Sequence, residues 1–168
     1  MYFRAIIFYF IFIMACTTNN ESSANTEIPL RSEIDSKYKW DLTSVFESDE
    51  AWEVELDRVK NLYPNMSEFK GKLLSNPETL LSSIKLDEEV NMSLGKLWHY
   101  ASNSLNADLT NEKYQEMVQR VRNVWIKYGA VTAYYTPEML ESDYSVLEGF
   151  MNENSELKQY EKVFKDTY

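Results

Sequence analysis

The sequence predicts an all-α fold, an antiparallel helical bundle of about four to six helices on residues 35–168. Three observations lead there. Apolar residues recur at steps of three and four, most clearly over residues 114–135, for more turns than any strand would sustain. A residue suited to helix capping, followed directly by Pro and Glu, stands at both 76–78 and 136–138. No segment holds the two-residue alternation of a half-buried strand, and four glycines and four prolines in 168 residues are too few for a loop-rich chain.

Along the chain, Trp40, Leu42, Val45 and Phe46 form a short apolar cluster that reads as a docking segment. Ser48 is a good N-cap, and Asp49 and Glu50 suit the positive end of a helix. Trp52, Leu56, Val59 and Tyr63 then give an amphipathic helix that stops before Pro64. After Asn76, the missing amide hydrogen of Pro77 costs nothing in a first turn, and Leu80, Ile84, Leu94, Leu97, Trp98, Ala101 and Leu105 form the next buried stripe. From near Thr110, Tyr114, Met117, Val118, Val121, Val124, Trp125, Tyr128, Val131 and Tyr135 hold the helical step for about seven turns. Thr136, Pro137 and Glu138 signal a further start, and Tyr144, Leu147, Phe150 and Met151 begin another apolar face. Leu157, Tyr160, Val163 and Phe164 continue that register, with no Gly, Asn or Pro to close it before Tyr168.

The amino terminus reads as a targeting segment rather than as fold. Arg4 supplies a positive end and residues 5–15 form an uncharged apolar run, shorter than the ~20 residues of a membrane-spanning helix. Ile13, Met14, Ala15 and Cys16 resemble a bacterial lipobox, which makes residues 1–15 a signal peptide and Cys16, the sole cysteine, the lipidated residue. Residues 16–34 then form the lipidated cysteine and a flexible tether, because 17–26 are mostly Ser, Thr and Asn. The expected localisation is an exported, membrane-anchored bacterial lipoprotein on the periplasmic or cell-surface side.

A formal charge of -10 argues against nucleic acid as a partner, since that affinity comes from Lys and Arg displacing counterions. His99 is the only histidine, and neither Lys96 nor Asn103, its neighbours along the helix, can help it hold a metal. Asp87, Glu88 and Glu89 read as a solvated face: consecutive helix positions point in different directions, and no loop glycine of a calcium hand is present. No GxSxG turn or glycine-rich phosphate loop occurs, so no catalytic residue and no cofactor-binding residue is assigned. Aromatic residues at 98, 100, 125, 134 and 135 fit core packing first, and a peptide groove second.

Four segments, KYKWDLTSVFESDEAWE (37–53), FKGKLLSNPETLL (69–81), LGKLWHYASNSLNADLTNEKYQEMVQRV (94–121) and YYTPEML (134–140), together resemble the amino-terminal region of oligoendopeptidase F, of the thimet-like zinc metallopeptidases. The resemblance implies helices that form one wall of a closed shell around a deep channel, with Trp98, Tyr100, Tyr134 and Tyr135 as candidate lining residues for short peptides. It also implies zinc held elsewhere, by an HExxH helix in which two histidines one turn apart bind the metal and the glutamate activates its water. That motif does not occur in this sequence. The expectation is therefore a truncated, noncatalytic amino-terminal lobe of a larger helical peptidase, with zinc only in a catalytic domain absent from these residues. A stand-alone helical lipoprotein that binds peptides or a partner protein is the alternative, and a nonfunctional gene fragment is a third reading.

Overall fold

The structure, a computed structural model, describes residues 28–168. The signal segment 1–15, the lipobox with Cys16, and tether residues 17–27 lie outside the described residues. Contacts divide the chain into two units, Met1–Ile34 and Asp35–Tyr168. In the described part of the first, a 3-10 turn at Arg31–Glu33 is held locally, the Glu33 carboxylate accepting the Leu30 amide at 2.9 Å.

The second unit is helical, and no strand occurs among the described residues. Its helices are α1 (Asp49–Leu62), α2 (Pro77–Ala107), α3 (Glu112–Thr132), α4 (Tyr135–Leu140), α5 (Tyr144–Glu153) and α6 (Glu161–Thr167). Side-chain caps fix the three long ones. The Ser48 hydroxyl accepts the Ala51 amide at 3.3 Å, Asn76 accepts that of Thr79 at 2.8 Å, and Asn111 accepts that of Tyr114 at 3.3 Å, each satisfying a first-turn donor. Between α2 and α3, Asp108 accepts both the amide and the hydroxyl of Thr110, at 3.0 and 2.6 Å, so the reversal needs only four residues, 108–111.

Cross-helix contacts give the directions. Tyr100 meets Asp49, Trp52 meets the carbonyl of Leu97, and Arg58 meets Ser93 and Glu89, so α2 descends as α1 rises. Trp98 pairs with Trp125 and Asn91 with Tyr128, so α3 also runs against α2. Arg120 on Glu53 and Lys113 on Asp49 show α1 and α3 side by side in the same direction.

Two apolar clusters share α2. One joins Trp52, Leu56 and Val59 to Leu94, Leu97, Val121, Val124 and Tyr128. The other joins Leu80, Leu81 and Ile84, at the start of α2, to Met139, Leu147, Met151, Leu157 and Phe164. A helix of 31 residues extends about 46 Å, which is what lets one element serve both.

Several expectations are corrected. Helix α3 has 21 residues, about six turns instead of seven. Helix α4 begins at Tyr135, ahead of the Thr136–Pro137 signal, because Tyr134 keeps helical angles (φ -74, ψ -20) and Pro137 falls inside the first turn, where its missing donor is harmless. The last apolar run is not one helix: Asn154 leaves helical geometry (φ -125, ψ 105), its side chain accepts the Glu156 amide at 3.1 Å, and a 3-10 turn at Ser155–Tyr160 intervenes before α6. Leu42, Val45 and Phe46 pack on the first cluster, while Trp40 stays 66% exposed.

Candidate functional site

Three successive acids on α2 organise the site. Neighbouring positions on a helix point about 100° apart, and each of these meets a different element. Asp87 accepts the Tyr128 hydroxyl from α3 and the Asn91 amide at 3.0 Å. Glu88 accepts the Tyr160 hydroxyl at 2.9 Å, and Glu89 accepts the Arg58 guanidinium of α1 at 2.6 Å. Sequence reasoning places all three on a solvated face: Glu88 and Glu89 are exposed and Asp87 is half-buried, and each carboxylate also meets a partner on another element.

Asp87 and Glu88 also border a cleft of about 410 Å³ between the start of α2, the α3–α4 junction and α6. Ile84, Met139 and Phe164 supply its apolar part, and Tyr135 and Tyr160 add hydroxyls. Burial pushes the Tyr135 phenol up to about 12; the carboxylate of Asp87 adds to the effect, and the Ser83 hydrogen bond opposes it. Burial, and then its hydrogen bond to Asp87, raises Tyr128 further still. Both tyrosines are therefore protonated at neutral pH, and Tyr128 donates its hydroxyl proton to Asp87.

A second groove lies along α2 and α3. It measures about 400 Å³ and is lined by Trp98, Arg122, Trp125 and Ile126. The two indoles meet edge to face at 6.5 Å, and the Arg122 guanidinium stands 5.9 Å from the Trp98 ring.

The four aromatic residues expected to line one channel do not share a cavity. Tyr135 borders the first cleft and Trp98 the second groove. Tyr100 is buried with its hydroxyl donating to Asp49 at 2.8 Å, and burial with that carboxylate raises its phenol. Tyr134 is buried too, donating to the Met66 carbonyl at 2.6 Å, with its phenol pushed by burial up to about 12. Arg122, Asp87, Glu88 and Tyr160 were missed as site residues. Only Arg122 had a local signal, one turn from Trp125 on the same helix.

Zinc does not fit the residues present. His99 is exposed, and among the described residues no three His, Cys, Asp or Glu side chains converge as metal ligands.

These two grooves sit on a helical lobe whose fold recurs inside a larger solved chain. A crystal structure described as that of a "putative peptidase" from Chlamydophila abortus matches it with a TM-score of 0.71 at 23% identity, over 80% of this chain and 23% of that one. No protein-family model matches the chain. In sequence, Oligopeptidase PepF of Bacillus subtilis (strain 168) is 35% identical over 150 residues, 89% of this chain and 22% of the relative. Group B oligopeptidase PepB of Streptococcus agalactiae is 33% identical over 82% of this chain and 23% of its own length. The plasmid oligoendopeptidase F of Lactococcus lactis subsp. cremoris is 34% identical over 80% of this chain and 23% of its own. The chain belongs with the amino-terminal region of the oligoendopeptidase F family. It spans under a quarter of the length of the curated relatives it matches.

Proposed function

We propose that this chain is the noncatalytic, channel-enclosing part of an exported lipoprotein of the oligoendopeptidase F type, which handles short peptides once completed by a zinc-bearing catalytic part. The observation that carries this reading is a mismatch: similarity to peptidases runs over 80% or more of the chain, yet the sequence holds one histidine and no HExxH. Tyr128, whose hydroxyl is tied up on Asp87, and Tyr135, raised by burial, agree with a role in shaping space and not in bond cleavage. The lipobox-like Ile13, Met14, Ala15 and Cys16 support export and anchoring.

Two experiments test it. The purified chain, given zinc and short quenched peptides, is expected to show no turnover; hydrolysis abolished by a chelator would defeat the reading. Replacing Cys16→Ala is expected to move the protein from the detergent phase to the aqueous phase, and unchanged partitioning removes the anchor.

A further inference from the structure

Acidic residues are unevenly placed. Of 27 in the chain, none falls in residues 90–107 of α2 or in 117–137 of α3 and the start of α4, whereas Lys96, Arg120, Arg122 and Lys127 do. The groove of Trp98, Arg122, Trp125 and Ile126 lies within this acid-free zone. Its apolar lining is open to solvent: Ile126 is 65% and Trp125 39% exposed. Among the described residues Arg122 has no carboxylate within 4.0 Å, unlike Arg58 and Arg120, which are both paired. An uncommitted guanidinium beside two indoles, with no like charge to repel an anion, is a receptor for a carboxylate flanked by an apolar side chain.

We propose that this groove docks an acidic polypeptide segment carrying an aliphatic or aromatic anchor. Arg122 takes a carboxylate of that segment, and Trp98, Trp125 and Ile126 receive the anchor. The net charge of the whole chain does not prevent this: fields from exposed charges fade beyond about 8 Å at physiological salt, so a short segment feels mainly the local zone. A nucleic acid would need several paired phosphates at once, and the groove offers one unpaired arginine. The inference is independent of the peptidase reading, since it rests on a surface and not on hydrolysis.

The test is fluorescence anisotropy of the full chain with three labelled twelve-residue probes: a Glu/Asp peptide with central Leu and Phe, its Gln/Asn analogue, and a single-stranded oligonucleotide. The acidic peptide is expected to bind at least tenfold tighter than either other probe, and to weaken as salt rises. Arg122→Glu and Ile126→Ala should each weaken it at least fivefold; both sites are exposed, so circular dichroism should report an intact fold. Lys158→Glu, the same charge change on another surface, should alter affinity less than twofold. No binding, equal binding of the Gln/Asn analogue or the oligonucleotide, or indifference to Arg122→Glu would each overturn the proposal.

Discussion

Trp52 on α1 is fully buried, its indole N–H donates to the Leu97 carbonyl at 2.9 Å, and the Arg120 guanidinium lies 5.4 Å from its ring. Trp52→Phe keeps an aromatic ring in the core but removes the donor and leaves the space of the second ring unfilled. The lost hydrogen bond is worth about 1 kcal/mol, and the Leu97 carbonyl keeps its own helix partner, so no acceptor is orphaned. The missing ring atoms add roughly 1–2 kcal/mol, allowing for partial collapse of the gap. A loss of about 2–3 kcal/mol follows, which for a chain of this size lowers the melting midpoint by roughly 4–12 °C. Urea unfolding followed by far-ultraviolet circular dichroism measures it without depending on tryptophan emission. Val54→Ala, on the same helix but 72% exposed, is the control and should stay within about 0.5 kcal/mol. A Trp52→Phe loss no larger than that control would refute the reasoning that α1 is fastened to α2 through this side chain.

The Asp87–Tyr128 contact predicts a coupling: Asp87→Asn and Tyr128→Phe should each destabilise by about 1–2 kcal/mol, and the double variant by clearly less than the two effects combined; a strictly additive urea result would deny the contact. For Asp49, burial alone would raise the carboxyl, but hydrogen bonds from Lys113, Tyr100 and Tyr114 outweigh it and hold it below its ordinary 3.8. A depressed carboxylate stabilises above its unfolded value and loses that contribution as pH falls through the folded one. Asp49→Asn should therefore be less stable than wild type at pH 7, with the gap closing below pH 3.8, and thermal melts showing a constant gap would contradict the assignment. Asn76→Ala removes the acceptor of the Thr79 amide at the start of α2 and should cost about 1 kcal/mol by denaturant titration, whereas an unchanged midpoint would show that the cap is redundant.

Where the sequence carried local signals, the fold was legible. Ser48 and Asn76 stand at helix starts as capping chemistry requires, and the unbroken step of apolar residues between Tyr114 and Tyr128 marks α3. What could not be read depends on distant partners. Residues 87–89 interrupt the apolar stripe of α2 and look like surface; their partners Tyr128, Tyr160 and Arg58 lie 41, 72 and 31 residues away. Asn154 was hidden inside a run of well-spaced apolar residues, because its escape from the helix is decided by its own side chain capping the next turn. The candidate site divides in the same way. Tyr134 and Tyr135 are adjacent, yet one is spent on the Met66 carbonyl and the other borders a cleft, a difference set by the turn between α3 and α4.

The carboxylates at 87–89 also govern what lengths α2 can tolerate. Deleting one residue just ahead of them would swing everything beyond it through about 100° and draw it back by about 1.5 Å. Glu88 and Glu89 would then be presented to recipients meant for the residue before them and Asp87 to none, and the ties as built to Tyr128, Tyr160 and Arg58 would fail together. Point replacements can slacken these ties one at a time, but an insertion or deletion in this stretch of coding sequence miskeys the whole set.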